Sequence, residues 1–169
     1  MMTDALLEAP FVTLQVTVPS QWIDINGHMN ATHYGLVIYD AHVKLTEILG
    51  LGEDYVNASH CSKAVLESHL IYEREVSEGD QLEVHSWLLA IDHKRLHFFH
   101  ELFNLSKGFR AAASEQVDVH MDLKARRSSP IPDNLQQSLR KIVKAHLAQP
   151  RPEGVGSTIR PPKNTWLKP

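Results

Sequence analysis

The chain has 169 residues, which suits a single domain with a complete core, and its 43% hydrophobic and 22% charged residues are ordinary for a globular protein. The formal net charge of −3 offers no broad basic field for nucleic acid, and no apolar run approaches the roughly 18–20 residues that would cross a membrane. Cys61 is the only cysteine, so no disulfide can form within one chain, and residues 1–10 lack the basic start of a signal peptide. We therefore expect a cytoplasmic protein that binds neither nucleic acid nor membrane.

The first half of the chain predicts one strand and one long helix. Apolar and polar residues alternate from Val12 to Val18, which indicates a half-buried strand that Pro19 ends. A loop rich in Asn, Asp and Gly follows, and Asn30 is a plausible N-cap for an amphipathic helix that runs to about Leu49. At roughly twenty residues this helix is long for a small domain. We therefore expect it to lie across a large flat surface such as a sheet.

The second half of the chain predicts an antiparallel sheet. Four strand-like runs are separated by short turn-like segments: Lys63–Val76, Gln81–Ile91, Arg95–Leu105 and Phe109–Asp122. Three hairpins in succession would form a meander. One strand, a long helix and then four strands predict an α+β fold in which the sheet wraps around the helix.

The C-terminal part predicts a second amphipathic helix from Asp133 to Leu147 and an irregular tail from Gln149 that is rich in Pro and Gly. No internal repeat is visible. We divide the chain into an N-terminal extension (residues 1–11), the principal α+β domain (residues 12–125) and a C-terminal helix with its Pro-rich tail (residues 126–169).

The loop at residues 22–30, Trp-Ile-Asp-Ile-Asn-Gly-His-Met-Asn, places a carboxylate, an imidazole and a carboxamide just before the long helix. Asp24 suits a nucleophile or general base that acts on a thioester or ester carbonyl, and it also suits an Asx-turn residue. His28 and Asn30 could orient Asp24 or a water molecule; otherwise His28 is solvated, and Asn30 caps the helix in either case. The N–H of Ala31, in the first helical turn, would receive a developing oxyanion.

Three further residues are candidates for the walls of a site. Gly27 indicates a positive φ or a close backbone approach, which any tight turn would also need. Tyr34 is either core packing or a pocket wall. Glu67 interrupts an apolar strand and shares a face with His69. A carboxylate that faces inward would need a partner or a function, whereas an exposed face or a bulge would explain it equally well.

A metal site at His93, His97 and His100 is disfavoured by their spacing. On a strand, His97 and His100 point to opposite faces, unlike the two histidines that share a face in a helical His-Glu-x-x-His motif. The sequence also contains neither a Gly-rich phosphate loop nor a Gly-x-Ser-x-Gly elbow.

The strand, the Asp-x-x-Gly loop, the long helix and the four strands together resemble the hot-dog fold. The loop resembles the 4-hydroxybenzoyl-CoA thioesterase branch of that superfamily, where the Asp three residues before the Gly is catalytic; by resemblance this residue is Asp24. The backbone N–H four residues after that Gly polarises the thioester carbonyl, which implies Ala31. Trp22 is a departure, because the branch often has a second acidic residue at that position.

A wider set of motifs is similar to the betainyl-CoA thioesterases of bacterial carnitine degradation. The similarity covers roughly residues 12–125 and rests on four segments: Val18 to Tyr34, Glu67-Ser68-His69, Lys94-Arg95-Leu96-His97 and Glu115-Gln116. Ile25 departs from the pattern, because an aromatic residue is expected there, and the change could alter the acyl pocket.

The resemblance implies an acyl-CoA thioesterase that converts a short-chain acyl-CoA, with betainyl-CoA as a candidate, to the acid and free CoA. It implies a homodimer at least, or a tetramer of hot-dog dimers, with CoA across the seam and Glu67 of the partner subunit near the acyl group. A trimethylammonium group would favour aromatic faces and a carboxylate, for which Trp22, Tyr34 and Glu67 are the candidates. Lys94 and Arg95 could meet the CoA phosphates or form a solvated turn. No metal or redox cofactor is expected, and CoA is part of the substrate.

Two other functions stay open. Hot-dog hydratases or dehydratases act on enoyl-CoA, but they typically carry an Asp-x-Asn-Pro-x-His pattern, whereas Asp24 and His28 are one position closer and have no proline between them. Hydration of crotonyl-CoA would separate this activity from thioester hydrolysis. A non-catalytic hot-dog protein could instead bind acyl-CoA as a sensor or scaffold. No DNA-binding segment is evident, and tight CoA binding without turnover would favour this third function.

Overall fold

The computed structural model describes residues 9–157 of the chain. The helices and strands follow in this order: β1 (Phe11–Thr17), α1 (Ala31–Ile48), α2 (Glu53–Ser59), β2 (Cys61–Tyr72), β3 (Gln81–Ile91), β4 (Arg95–Asn104), β5 (Phe109–Asp122), β6 (Arg127–Ser128) and α3 (Asp133–Leu147). A short 3-10 turn at Ser20–Trp22 precedes the Asp24 loop. Parts of the predicted N-terminal extension and Pro-rich tail, at residues 1–8 and 158–169, lie outside the described residues.

Helix α1 begins where the sequence predicts, because Asn30 caps it. The Asn30 Oδ1 atom accepts a hydrogen bond from the Thr32 N–H at 2.9 Å, which satisfies one of the donors left unpaired at a helix start. Side chains three and four positions apart form the buried face of the helix: Tyr34, Val37, Ile38, Ala41 and Leu45. Gly50, at a φ of 74°, follows the end of the helix and supplies the left-handed residue that commonly stops one.

The strands form one antiparallel sheet in the order β1-β3-β4-β5-β2, with β6 paired to β5. Strands β3, β4 and β5 form a meander as predicted. The predicted hairpin between β2 and β3 is wrong, because β2 pairs with β5 at the far edge and β3 pairs with β1. The turn at residues 77–80 packs against the end of β1, where the Gly79 N–H donates to Val18 O at 2.9 Å. The chain therefore crosses the sheet here instead of folding back onto β2.

Local sequence signals located most elements but not all of them. The bounds of α3, β3 and β5 are those predicted. Strand β2 ends at Tyr72 rather than Val76, because the chain leaves the sheet and Val76 O accepts a hydrogen bond from the Met29 N–H at 2.7 Å. Helix α2 and strand β6 were not predicted; with seven and two residues they are too short to show a clear period. In residues 9–157 no helix is long and apolar enough to cross a membrane.

Helix α1 and the inner face of the sheet bury most of the core. Near the Asp24 loop, the buried face of α1 packs with apolar side chains of three central strands: Leu82, Val84, Leu102 and Ala112. At the other end of the helix, Leu45 packs with Leu88 and Phe98, and α3 adds Leu139 and Ile142. Each Val, Leu, Ile or Phe side chain among these contributes about 1.5–3 kcal/mol when fully buried. The long helix is thus held inside a curled antiparallel sheet, which is the hot-dog architecture, and its N-terminus lies beside the end of β2.

Candidate active site

The loop before α1 is a closed turn that depends on Gly27. The Asp24 N–H donates to His28 O and the Gly27 N–H donates to Asp24 O, each at 3.0 Å. Gly27 has a φ of 81°, a left-handed conformation that residues with a side chain disfavour. Apart from its two neighbours in the chain, no described residue has an atom within 4 Å of the position a Cβ would take there. The loop therefore requires glycine for its backbone conformation and not for lack of space.

Two more backbone hydrogen bonds fix the loop to the rest of the fold. The Asn30 N–H donates to Trp22 O at 2.8 Å and closes the loop at its base. The Met29 N–H donates to Val76 O at 2.7 Å, and the Met29 side chain is buried. This second bond joins positions far apart in sequence, and it brings the segment after β2 against the start of α1.

The two oxygens of the Asp24 carboxylate are used differently. Oδ1 accepts the Asn26 N–H at 2.8 Å, which is the Asx-turn hydrogen bond that the sequence left open as an alternative. Oδ2 has a long contact of 3.5 Å with the Asn30 Nδ2 atom. The structural role of Asp24 therefore occupies one oxygen and leaves the other for chemistry. His28 is nearby but loosely held, with its Nδ1 atom 3.4 Å from Met29 O.

The backbone N–H groups at the start of α1 differ in whether they have a hydrogen-bond acceptor. The Thr32 N–H is bound by the Asn30 side chain, and the His33 N–H is bound by Asn30 O at 3.0 Å. The Ala31 N–H has no acceptor among the described residues, and Ala31 is exposed at a cavity. A helix N-terminus carries a partial positive charge, so this N–H can receive an oxygen on which negative charge develops.

A cavity of about 430 Å³ lies between the loop, the start of α1 and the segment after β2. This volume falls in the range of small-molecule sites. One side is lined by five residues that the sequence predicted: Asp24, His28, Asn30, Ala31 and Tyr34. The other side is lined by residues that it did not predict: Tyr72, Glu73, Arg74 and Glu75.

Tyr34 is a fixed wall of this cavity as well as a core residue. Its hydroxyl donates to Arg74 O at 3.2 Å, and its ring meets that of Tyr72 edge-on, with centroids 5.4 Å apart and planes at 81°. Burial raises the pKa of the Tyr34 hydroxyl, and the carboxylate of Glu75 raises it further. The hydroxyl therefore stays protonated at neutral pH and keeps its hydrogen bond to the facing wall.

The facing wall, residues 72–75, is held in place by Arg110. The guanidinium of Arg110 binds Glu73 through two hydrogen bonds, from Nη2 to Oε1 at 2.6 Å and from Nε to Oε2 at 2.9 Å. It also donates from Nη1 to Glu101 Oε1 at 2.9 Å. The sequence does not predict this wall, because Glu-Arg-Glu has the pattern of any charged segment at the end of a strand. The contact between Met29 and Val76, which places it at the site, is invisible in sequence.

Trp22 and Glu67 do not line this cavity within a single chain. Trp22 stacks on His33, with centroids 5.0 Å apart and planes at 13°. Glu67 lies in the middle of β2 and lines a separate cavity of about 490 Å³ together with Glu115. The approach of Glu67 of the partner subunit to the acyl group stays a prediction.

Lys94 and Arg95 lie at the turn between β3 and β4, at the opposite end of the strands from Tyr72. Arg95 Nε donates to Asp92 Oδ2 at 2.7 Å, and Lys94 Nζ donates to Ser128 Oγ at 3.3 Å. A role for these two residues at CoA phosphates stays a prediction.

Comparison with known proteins decides the family. The sequence profile of the thioesterase-like superfamily matches residues 18–139. The chain belongs to this superfamily. The prediction of a thioester hydrolase with the hot-dog fold is confirmed.

Individual relatives of this thioesterase agree in sequence and in fold. The present chain is 38% identical to the betainyl-CoA thioesterase of Pseudomonas aeruginosa over 147 residues, which cover 87% of this chain and 92% of the relative. A hypothetical protein of Staphylococcus aureus, solved in complex with CoA, has a TM-score of 0.82 at 26% identity, covering 92% of this chain and 98% of that one. A candidate thioesterase of Pseudomonas putida has a TM-score of 0.77 at 30% identity, covering 92% and 99%.

Proposed function

We propose that this thioesterase hydrolyses a short-chain acyl-CoA to the acid and free CoA, and that betainyl-CoA is its first candidate substrate. One observation carries the proposal: the Oδ2 atom of Asp24 and the unoccupied N–H of Ala31 belong to the same cavity. A carboxylate and an oxyanion-binding donor are the groups that thioester hydrolysis needs. The similarity to a betainyl-CoA thioesterase and to a protein solved with CoA supports the identity of the substrate.

In the proposed reaction, the thioester carbonyl oxygen accepts a hydrogen bond from the Ala31 N–H. The carbonyl carbon is attacked either by Asp24 itself, which forms a mixed anhydride, or by a water molecule that Asp24 deprotonates. The carbon–sulfur bond then breaks and CoA leaves as the thiolate, which takes up a proton. On the first route a water molecule then hydrolyses the anhydride, which releases the acid and restores the Asp24 carboxylate. Asn30 and His28, which line the cavity beside Asp24, position its carboxylate or the water.

We also propose that the enzyme is a homodimer, or a tetramer of such dimers, joined along β2. Strand β2 is an edge of the sheet, and Val65 and Leu66 expose 54% and 60% of their surface there. Unprotected apolar edge strands tend to pair with another chain, and a two-fold axis would pair two copies of β2 antiparallel. The start of the partner's β2 would then lie beside Tyr72 and the cavity. This arrangement would bring Lys94 and Arg95 of the partner subunit toward bound CoA.

The proposal is tested by thiol release from a panel of betainyl-, acetyl-, hydroxybenzoyl- and longer acyl-CoAs. We expect one short acyl-CoA to be cleaved fastest, and Asp24→Asn to lower kcat by about 10²–10⁴-fold, the usual contribution of a positioned acid or base. Asp40→Asn is the matched control, because Asp40 is an exposed aspartate on α1 that does not line the cavity. The control should retain the activity of the unsubstituted enzyme.

Two results would contradict this proposal. If Asp24→Asn cleaves the best substrate as fast as Asp40→Asn, then Asp24 is not the catalytic residue. If no thioester is cleaved, the substrate class is wrong. Hydration of crotonyl-CoA would then favour a hydratase, and tight CoA binding without any turnover would favour a binding protein.

A further inference from the structure

We infer that the cavity beside Asp24 takes a cationic acyl group, and that Tyr34, Tyr72 and Glu75 bind its positive charge. This inference rests on the proposed thioesterase function, since it concerns the acyl end of the same cavity. Of the three residues that the sequence predicts for this role it keeps Tyr34, and beside it names Tyr72 and Glu75, which line the cavity within one chain, in place of Trp22 and Glu67.

Two tyrosine rings form a corner of the cavity. Their planes stand at 81° and their centroids are 5.4 Å apart, while Tyr72 leaves 53% of its surface exposed. The Tyr34 ring cannot turn freely, because it is buried and its hydroxyl is bound to Arg74 O. A quaternary ammonium group is attracted to the faces of aromatic rings, and pre-ordered rings bind it at a lower entropic cost.

The charges around this corner leave Glu75 without a counter-cation. Glu73 is neutralised by the two hydrogen bonds from Arg110, and the guanidinium of Arg74 lies over the ring of Phe109, 5.0 Å from its centroid. Within residues 9–157, neither Glu75 nor Asp24 forms an ion pair. Glu75 lines the same cavity as the two rings.

This combination selects by charge as well as by size. Two carboxylates without counter-cations would repel an acyl group that ends in a carboxylate, and they would attract one that ends in an ammonium. The cavity therefore fits an acyl-CoA whose acyl group is small and carries a fixed positive charge. The two negative groups also divide their roles, because Asp24 faces the helix start whereas Glu75 lies on the opposite wall.

The experiment compares betainyl-CoA with tert-butylacetyl-CoA, in which a carbon atom replaces the ammonium nitrogen and the shape is unchanged. The measured quantity is the ratio of kcat/KM for the charged and the neutral ester. We expect a preference of about tenfold or more for betainyl-CoA in the unsubstituted enzyme, since each 1.4 kcal/mol of binding is about tenfold. We expect Glu75→Gln and Tyr72→Leu each to reduce this ratio at least threefold, roughly the effect of one exposed contact of this kind.

Matched variants separate the charge effect from general damage. Glu78→Gln removes an exposed glutamate that does not line the cavity, and its ratio should equal that of the unsubstituted enzyme. Tyr72→Phe keeps the aromatic face and should retain most of the preference, whereas Tyr72→Leu should not. Because both esters are measured on the same protein, a loss of folded enzyme cancels from the ratio.

A non-hydrolysable pair keeps the inference testable if turnover is absent. In CoA thioethers that carry a methylene between sulfur and the carbonyl, no acyl transfer can occur, so calorimetric binding of the ammonium and tert-butyl forms measures the preference alone. If the ammonium form binds more tightly and Glu75→Gln abolishes this preference, the inference is supported even when neither ester is cleaved. The absence of cleavage would overturn only the proposed hydrolysis. Equal binding of the two forms, or a ratio that Glu75→Gln and Tyr72→Leu leave unchanged, would overturn the inference.

Discussion

The Nδ1 atom of His42 on α1 lies 3.2 Å from the Nε2 atom of His100 on β4, and both imidazoles are buried. The pair belongs to a network of polar side chains that runs through the core. His100 Nδ1 is 2.7 Å from Ser86 Oγ, and His42 Nε2 is 3.1 Å from Asp118 Oδ2. Lys63 Nζ donates to the same Asp118 oxygen at 2.8 Å. These side chains thus link α1, the three inner strands β3, β4 and β5, and the edge strand β2.

The hydrogen bond between the two rings needs one nitrogen that donates and one that accepts, so at least one imidazole of the pair is neutral. If His42 donates from Nε2 to Asp118, its Nδ1 accepts from His100 Nε2–H, and His100 Nδ1 accepts from the Ser86 hydroxyl. A second proton on the pair would leave two donors facing each other, and the Lys63 ammonium, 2.5 Å from His42 Nε2, opposes a first proton on His42. Burial lowers the pKa of His100 to about 3, and burial also lowers the pKa of His42.

The first prediction is a loss of stability in mild acid. An unfolded histidine titrates near 6.5 and folded His100 near 3, so between these values the unfolded chain binds a proton that the folded chain does not. The free energy of unfolding should therefore fall as the pH drops below about 6.5, by about 1.4 kcal/mol per pH unit for His100. His42 acts in the same direction. Urea unfolding at about pH 8 and about pH 5 measures the slope.

His100→Gln should flatten this dependence, because a glutamine does not titrate. It should also lower the stability at about pH 8 by roughly 1–3 kcal/mol, since buried polar partners lose their hydrogen bonds. His93→Gln is the control, because the His93 side chain is 67% exposed. A pH slope in His100→Gln equal to that of the control would show that the buried imidazole is not its source.

The second prediction concerns the ion pair of Asp118 and Lys63. Burial alone would raise the pKa of the Asp118 carboxyl, but the hydrogen bond from His42 and the Lys63 ammonium lower it to about 2. Asp118→Asn should cost about 3–5 kcal/mol of unfolding free energy, because it leaves a largely buried ammonium without its counter-charge. Asp40→Asn, on the exposed side of α1, should change stability by less than about 0.5 kcal/mol. In a double-mutant cycle, Asp118→Asn should cost less after Lys63→Met; strictly additive effects would mean that the two side chains do not interact.

The third prediction tests the backbone of the Asp24 loop. Gly27→Ala should lower the unfolding free energy by about 1–2 kcal/mol, because alanine disfavours a positive φ. It should also lower kcat, because the turn positions Asp24. Gly35→Ala is the contrasting control; Gly35 lies within α1 at a negative φ with the nearest atom 3.8 Å from its Cβ position, so the change should stabilise the helix by roughly 0.5–1 kcal/mol. Gly27→Asn should recover part of the loss, since asparagine tolerates the left-handed region.

Features that depend on residues close together in sequence are predicted well here, whereas features that depend on contacts between distant residues are not. The Asn30 cap, the period of α1 and the Asp24 loop are local patterns, and the structure has each of them where the residues indicated. The place of β2 beside β5 is not local. Neighbouring strands in sequence usually pair, and nothing in residues 77–80 reveals that the chain crosses the sheet.

The same limit explains which part of the candidate site was missed. Four of the site residues lie within eight consecutive positions, so a single motif predicts that they are close: Asp24, His28, Asn30 and Ala31. The facing wall reaches them only through the position of β2 and the Met29–Val76 hydrogen bond. A charged run such as Glu73 to Glu75 reads as a solvated strand end until that contact is known.

The fourth prediction concerns Arg110, which fixes the facing wall. Arg110→Lys keeps a positive charge but cannot bind Glu73 and Glu101 with the planar, branched geometry of a guanidinium. We expect the unfolding free energy to fall by about 1–3 kcal/mol and KM to rise more than kcat falls, because the wall moves while Asp24 does not. Arg151→Lys, at an exposed position, serves as the control. A fall in kcat with no change in KM would place Arg110 outside substrate binding.

The fifth prediction tests assembly along β2. Leu66 is 60% exposed on this edge strand, so Leu66→Asp should leave the monomer folded but introduce like charges where two copies would meet. Light scattering during size-exclusion chromatography should then report a dimer or larger assembly for the unsubstituted enzyme and a monomer for the variant. Leu105→Asp is a fair control, because Leu105 is 51% exposed at the turn between β4 and β5, away from β2. If both variants keep the original mass, β2 is not the interface, and Lys94 and Arg95 of a partner subunit do not reach the cavity by this route.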